Sequence, residues 1–214
     1  MSPRSKKLSE EMRTQSRAAL IDAARKLFSE RGYFNCKVSD VAREAGMSQG
    51  NVYWYFSSKE DLLIAVLAGG FEALGDALSH ASTQPGTTLE KLDQLLEGLF
   101  AFARQQWDFN LIMLSILGHG GDSLFAELGF DMPKIGLGYV RSVASIVAQG
   151  QEEGLIEEEI DPEVLAMFFL AFFNGLNLTY GQDWMDMPNE YVSNAAMRLM
   201  GVGVNDKFGL ESRD

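Results

Sequence analysis

The chain has 214 residues, 46% hydrophobic and 22% charged, which suits one or two ordered domains and excludes a mainly disordered chain. Eighteen Lys/Arg against 30 Asp/Glu give a formal net charge of −12, which taken whole speaks against nucleic acid, because phosphates repel a polyanion. The single cysteine, Cys36, excludes a disulfide framework and a cysteine-based zinc site.

Residues 1–12 read as a flexible basic tail. They carry Arg4, Lys6 and Lys7 with no apolar segment behind them, so they do not read as a signal peptide. Period 3.6 then dominates and alternating strand patterns are absent. Ala18, Ile21, Ala24, Leu27 and Phe28 make a first helical stripe, stopped by Gly32 in the usual C′ place. Val41, Ala42 and Ala45 make a short helix stopped by Gly46. Ser48 opens another through Phe56. Ser58, with Asp61 three residues on, reads as a capping box for a long helix through about Ser79. Helices follow over residues 88–106, 107–117, 133–153, 162–180 and 188–200, with a turn or short helix near 123–128. Four of the five prolines stand near expected helix starts, where a missing N–H costs nothing. The fold class is all-α, nine or ten helices.

The longest apolar run is Val164–Phe173, ten residues, where a membrane span needs roughly 20. A protein of the cytoplasm, with no membrane partner, is the expectation. The helices over 133–153 and 162–180 each look apolar on more than one face. Ile135, Tyr139, Val143, Ile146 and Val147 line one side of the first, and Leu137, Val140, Ala144 and Ala148 another. A surface helix needs one stripe. The second face can meet a partner subunit in a two-fold four-helix interface. Two helices central in a monomer satisfy the same pattern.

Charge is divided unevenly. Residues 1–60 hold 11 Lys/Arg and 7 Asp/Glu, a balance of +4, and residues 61–214 carry −16. A basic end on an acidic body hints at nucleic-acid contact by that end. Lys37–Lys59 reads KVSDVAREAGMSQGNVYWYFSSK. Ala42 stands four residues before Gly46 and Val52 six after, the spacing of a helix-turn-helix. A small residue lets the helices cross, a glycine takes the positive φ and a β-branched residue plugs the gap. The second helix would enter the major groove by Ser48, Gln49, Gly50 and Asn51, whose amides and hydroxyl can bond base edges. A structural helical hairpin with a serine cap fits the glycine spacing equally well. The aromatics favour DNA: Tyr53, Trp54, Tyr55 and Phe56 are consecutive and cannot all face a core. With Val52 and Phe56 inward, Tyr53, Trp54 and Tyr55 fan outward, suited to phosphate, sugar and thymine-methyl contacts. Lys59 follows at a helix N-terminus that favours phosphate.

Over roughly residues 13–66 the chain resembles the tetracycline-repressor (TetR) family of bacterial transcription regulators. The resemblance rests on AARKLFSERGY, VSDVAREAGMSQGNVYWYF and SSKEDLLIAV, in that order. One departure is Tyr55, where the family often has histidine. The resemblance implies a three-helix DNA-binding domain at 13–57, a helical ligand-binding and dimerisation domain at 58–205, and a tail at 206–214. It implies a homodimer on a palindromic double-stranded operator, acting as a repressor released by a small apolar or aromatic effector. On that reading Ser48, Gln49 and Asn51 read bases. Tyr53, Trp54, Tyr55 and Lys59 hold backbone and groove, and Lys37 and Ser39 add phosphate contacts.

Ligand-pocket candidates are Trp107, Met113, His119, Phe173, Asn174, Asn177 and Tyr180, apolar residues with a few polar anchors. Each aromatic fits simple core packing as well. The acidic balance favours a neutral or cationic ligand over an acyl-CoA. No cofactor or metal is expected: Glu152, Glu153, Glu157, Glu158, Glu159 and Asp161 fit no calcium loop, and His80 and His119 stand alone. No enzyme motif is present. GLGYVR at 136 and GVGVND at 201 lack a third glycine and a preceding strand.

Overall fold

In the computed structural model, residues 3–202 are described and form ten α-helices and two short 3-10 turns, with no strand among them. α1 (Pro3–Arg31) is longer than the sequence pattern predicts. The segment expected as a flexible tail is helical from Pro3 on, and residues 7–15 are exposed on every side. Good helix formers and the Lys7–Glu11 pair at i, i+4 support those turns without a core. The buried stripe of α1 is Leu20, Ala23, Ala24, Leu27 and Phe28. It is rotated from the predicted one. Ala18 is exposed and Ile21 half-buried, because α2 and α6 both pack on this helix and choose its inward face. The helix ends at Gly32, whose N–H donates to Phe28 O at 3.0 Å.

A 3-10 turn at Tyr33–Asn35 leads to α2 (Val38–Glu44), α3 (Gln49–Tyr55) and α4 (Lys59–Thr83). α5 (Thr88–Gln105), α6 (Trp107–Leu117) and α7 (Gly121–Glu127) follow. α8 (Met132–Glu152), α9 (Pro162–Tyr180), a second 3-10 turn at Asp183–Asp186 and α10 (Asn189–Leu199) complete the order. Asp161 caps α9 as its position before Pro162 predicts, accepting from the Glu163 N–H at 2.8 Å. The expected tail at 206–214 lies outside the described residues.

The chain divides into two compact units, Met1–Glu72 with Gln106–Asp131, and Ala73–Gln105 with Met132–Asp214. The boundary falls inside α4, later than the one read at residue 57. α6 and α7, grouped with the ligand domain by sequence, belong to the first unit, because α6 packs along α1. In that unit the Phe71 ring meets Phe109 of α6 edge-on at 5.2 Å.

The second unit is built on α8 and α9, which pack along one another, with α5 and α10 against them. Val143, Ile146 and Val147 of α8 and Leu165, Ala166, Phe169 and Phe173 of α9 are buried. Each large apolar side chain contributes about 1.5–3 kcal/mol. Phe100, Phe173 and Trp184 form an aromatic triangle with centroids 5.8–6.1 Å apart. Other apolar residues of the pair remain outside, among them Leu137, Met167, Phe168 and Leu178. α4 and α9 are long and apolar enough to cross a membrane by length and composition alone. In this fold each sends part of its apolar surface into a packed core: Leu62, Leu63, Val66 and Leu67 from α4, and the four buried residues of α9.

Candidate nucleic-acid interface

α2 is held at its start by the Asp40 carboxylate, which accepts from the Lys37 N–H at 3.1 Å. That bond, with Arg43 beside it at 2.7 Å, holds the Asp40 carboxyl below the usual range. Val41 and Ala42 turn inward. Gly46 then takes φ +67°, a left-handed conformation that glycine adopts without a Cβ penalty. The Met47 N–H returns to Ala42 O at 2.8 Å and closes the turn. Ser48 caps α3, its Oγ accepting from the Asn51 N–H at 3.2 Å. The hydroxyl proton stays available to another acceptor.

Val52 and Phe56, four residues apart, are 1% and 4% exposed. They pin α3 by one side and so fix what the other presents. Ser48, Gln49, Gly50 and Asn51 are all exposed, as are Tyr53 (49%) and Trp54 (62%). Tyr55 differs from expectation. It is half-buried, with its ring edge-on to Trp54 at 4.6 Å, because the helix turns it back beside Phe56. Lys37 and Ser39 are exposed at the start of α2. Lys59 opens α4 with its ammonium 4.1 Å from the Tyr33 ring centroid, a cation–π distance. Partial burial holds its pKa below the usual lysine value, against the opposing pull of Cys36 and Glu60. The α4 cap is shifted from the predicted box. Ser58 Oγ accepts from the Asp61 N–H at 3.0 Å, but the Asp61 carboxylate reaches back to the Ser57 N–H at 3.1 Å.

Ion pairing sorts the cations of this unit. Arg25 pairs with Asp22, Lys26 with Glu44 at 2.6 Å and Arg43 with Asp40. Among the described residues Lys37 and Lys59 make no salt bridge, nor do Arg13 and Arg17 of α1. The two arginines are exposed beside α3, with the Arg13 guanidinium 4.6 Å from the Trp54 ring centroid and that of Arg17 5.0 Å from Phe56's. Sequence reading missed both. Their spacing of four was visible, but nothing local says that this turn of α1 lies against the end of α3. A hollow of about 250 Å³ opens here, lined by Ser16, Met47, Asn51, Trp54 and Tyr55.

The ligand candidates are not brought together within either unit. Trp107, Met113 and His119 belong to the first, and Phe173, Asn174, Asn177 and Tyr180 to the second. His119 is exposed, its Nδ1 2.7 Å from Ser115 O and its ring 4.8 Å from that of Phe34. Phe173 is core. Asn177 Oδ1 accepts from the buried Trp184 Nε1 at 3.1 Å, so that amide already has a structural task. Asn174 and Tyr180 face outward. Cys36 is 2% exposed, donates to Leu27 O at 3.2 Å, and has its thiol pKa pushed up by burial. GLGYVR lies inside α8 with no strand before it, and Gln151 ties the acidic loop by donating to the Glu157 and Ile160 carbonyls at 2.8 Å each.

Residues 20–66 match the family described as bacterial regulatory proteins, tetR family. The chain is 26% identical over 188 residues to the fatty acid metabolism regulator protein of Bacillus subtilis (strain 168), covering 88% of this chain and 95% of that one. Among solved structures it is similar to the TetR family transcriptional regulator PfmR from Thermus thermophilus, with TM-score 0.72, 24% identity, and coverage of 87% and 98%. It is also similar to the regulator FadR from Bacillus subtilis in complex with stearoyl-CoA, with TM-score 0.68, 23% identity, and coverage of 88% and 99%. The matched segment spans the buried stripe of α1, the helix-turn-helix and the opening turns of α4, so residues 20–66 carry the DNA-binding domain of the tetR family of bacterial regulatory proteins.

Proposed function

We propose that two copies of this protein set their α3 helices in successive major grooves of a palindromic operator and repress transcription there. The carrying observation is the way Val52 and Phe56 pin α3 while Ser48, Gln49, Asn51, Tyr53 and Trp54 stay exposed. Ser48, Gln49 and Asn51 read base edges. Tyr53, Trp54, Lys37, Ser39 and Lys59 fix the register on sugar and phosphate, and Tyr55 acts chiefly by backing Trp54. Two-fold symmetry puts the two α3 helices one DNA turn apart, roughly 34–36 Å. The apolar residues left outside on α8 and α9 support those helices as the homodimer interface. The protein works in the cytoplasm as a regulator rather than an enzyme.

The effector is a small apolar or aromatic molecule acting on the helices after residue 58. A ligand that binds better to one head spacing must shift operator affinity by the same coupling free energy. The neighbour solved with stearoyl-CoA supports an apolar ligand, whereas 23 acidic against 7 basic residues over 61–214 disfavour the phosphates of CoA.

Anisotropy titration against the DNA flanking the protein's own gene tests the operator reading. Nanomolar, salt-dependent binding is expected. Asn51→Ala and Tyr53→Ala each cost about 1–3 kcal/mol, roughly 5- to 150-fold in affinity. If neither that DNA nor a palindrome selected from a random pool binds at low salt, the reading is wrong.

A further inference from the structure

We propose that Arg13 and Arg17 of α1 form a second phosphate clamp beside the recognition helix, and that Arg13 also sets the ring of Trp54. The proposal rests on the operator-binding reading and extends it to a helix outside the helix-turn-helix. Arg13 and Arg17 stand four residues apart and are neighbours on one face of α1. Each guanidinium lies over a ring of the α3 end, Arg13 over Trp54 and Arg17 over Phe56. A guanidinium held over a ring by its charge does not spend its N–H donors as a salt bridge would. Those donors form a planar fork. That fork matches two phosphate oxygens.

Neither arginine is engaged by a carboxylate among the described residues, while Lys7, Arg25 and Lys26 of the same helix all are. Arg31 at the end of α1 is likewise outside the salt bridges, but among the described residues only Arg13 and Arg17 have a guanidinium over a ring of α3 or its end. A guanidinium already held on a ring has less freedom to lose when a phosphate arrives. The hollow at Trp54, lined by neither arginine but sharing that ring with Arg13, has a volume of about 250 Å³, room for several waters at about 30 Å³ each. Its lining includes the Ser16 hydroxyl and the Asn51 amide as neutral donors. Trp54 is 62% exposed, and its ring is held between the Arg13 guanidinium and the edge-on ring of Tyr55.

The test is the salt dependence of operator binding by the full-length protein between 50 and 200 mM salt. Arg13→Gln removes one phosphate contact per protomer, two per dimer, so the slope of log K on log salt falls in magnitude by about 1.8. Over that fourfold range the wild type then loses about 12-fold more affinity than R13Q. R17Q shows a similar change and carries the slope test should R13Q not fold, which thermal unfolding checks. R13K keeps the charge and the slope but loses the planar guanidinium over Trp54, and binds several-fold more weakly at fixed salt. Equality of R13K with the wild type in both respects would overturn the role assigned to Arg13 in setting Trp54. Wild-type slopes in both R13Q and R17Q, with binding still lost in Asn51→Ala, would overturn the clamp and leave the operator reading intact. No DNA binding by the wild type would overturn both.

Discussion

Gly69 and Gly70 are adjacent in α4 and should respond to alanine with opposite signs. A Cβ on Gly69 meets nothing within 4 Å. A Cβ on Gly70 would overlap the Phe109 ring, 2.5 Å from both Cγ and Cε2 and closer still to Cδ2. The Phe109 ring cannot simply swing away, because it is 5% exposed and held edge-on by Phe71. Alanine is favoured over glycine in a helix interior by about 0.8–1.0 kcal/mol, through backbone entropy. Gly69→Ala therefore stabilises by about 1 kcal/mol. Gly70→Ala has the same gain but overpacks a filled site, at a cost of about 1–3 kcal/mol. The two variants should differ by that overpacking cost, with G69A above the wild type and G70A at or below it. For a chain of this size 1 kcal/mol is about 2–4 °C in Tm. Thermal unfolding at one fixed protein concentration reads the difference, since assembly makes Tm depend on concentration. Phe109→Leu should recover part of the loss in G70A and do nothing useful in G69A, a coupling that a double-mutant cycle isolates. Equal stabilisation by both alanines would refute this packing of α6 on α4.

Two single hydrogen bonds lend themselves to the same treatment. Burial and the bond from its hydroxyl to Glu60 Oε1 at 3.0 Å push the Tyr33 phenol above its ordinary value of 10.0. The folded pKa is the higher one, so this contribution is complete below pH 10 and is lost as pH rises beyond it. Tyr33→Phe has nothing to ionise there, and its urea midpoint should fall less between pH 9 and 10.5 than that of the wild type; parallel falls would contradict the assignment. Asn177→Leu leaves the buried Trp184 Nε1–H without its acceptor and should cost about 1–3 kcal/mol, with a change in Trp184 fluorescence. Unchanged stability, with effector binding lost instead, would make Asn177 a ligand contact rather than a structural acceptor.

The helix-turn-helix was legible because its determinants are local. Ala42, Gly46, Val52 and Phe56 lie within 15 residues, and each side chain is fixed by its distance from the turn. The caps were legible for the same reason, and the one that differs, Asp61 bonding Ser57 rather than Ser58, differs by a single residue. What the sequence left open depends on contacts distant along the chain. The rotated stripe of α1 was decided by α2 and α6, which no period within α1 reports. Asn177 looked like a ligand anchor because a buried amide needs a partner, but the partner is Trp184, beyond the end of its own helix. Phe173 looked the same as a pocket residue and a core residue, and only Phe100 and Trp184 against its ring decide that it is core. Arg13 and Arg17 escaped notice because their meaning lies in Trp54 and Phe56, about 40 residues away.

The net charge of −12 and a DNA partner are reconciled by pairing rather than by counting. At physiological ionic strength a charge acts over about 8 Å, so a phosphate touching Lys37 or Lys59 responds to its immediate neighbours and hardly to the total. The acids in the sequence around those lysines are nearly all engaged. Asp40 holds the Lys37 N–H and Arg43, Glu44 holds Lys26, Glu60 takes the Tyr33 hydroxyl, and Asp61 takes the Ser57 N–H. Each bond commits a carboxylate to the fold of the helix-turn-helix, while Arg13, Arg17, Lys37 and Lys59 keep their charge unshared among the described residues. Asp40 and Glu44 are matched by Arg43 and Lys26, so the positive balance of residues 1–60 is carried by the cations left without such a partner, Arg13, Arg17, Lys37 and Lys59 among them. The −16 over the rest of the chain acts on DNA chiefly at low salt, where screening weakens, and there it opposes non-specific association. An acidic body with a few unpaired cations at its head thus favours DNA contacts made through that head over contacts made elsewhere on the surface, and leaves the choice of sequence to the side chains that reach base edges.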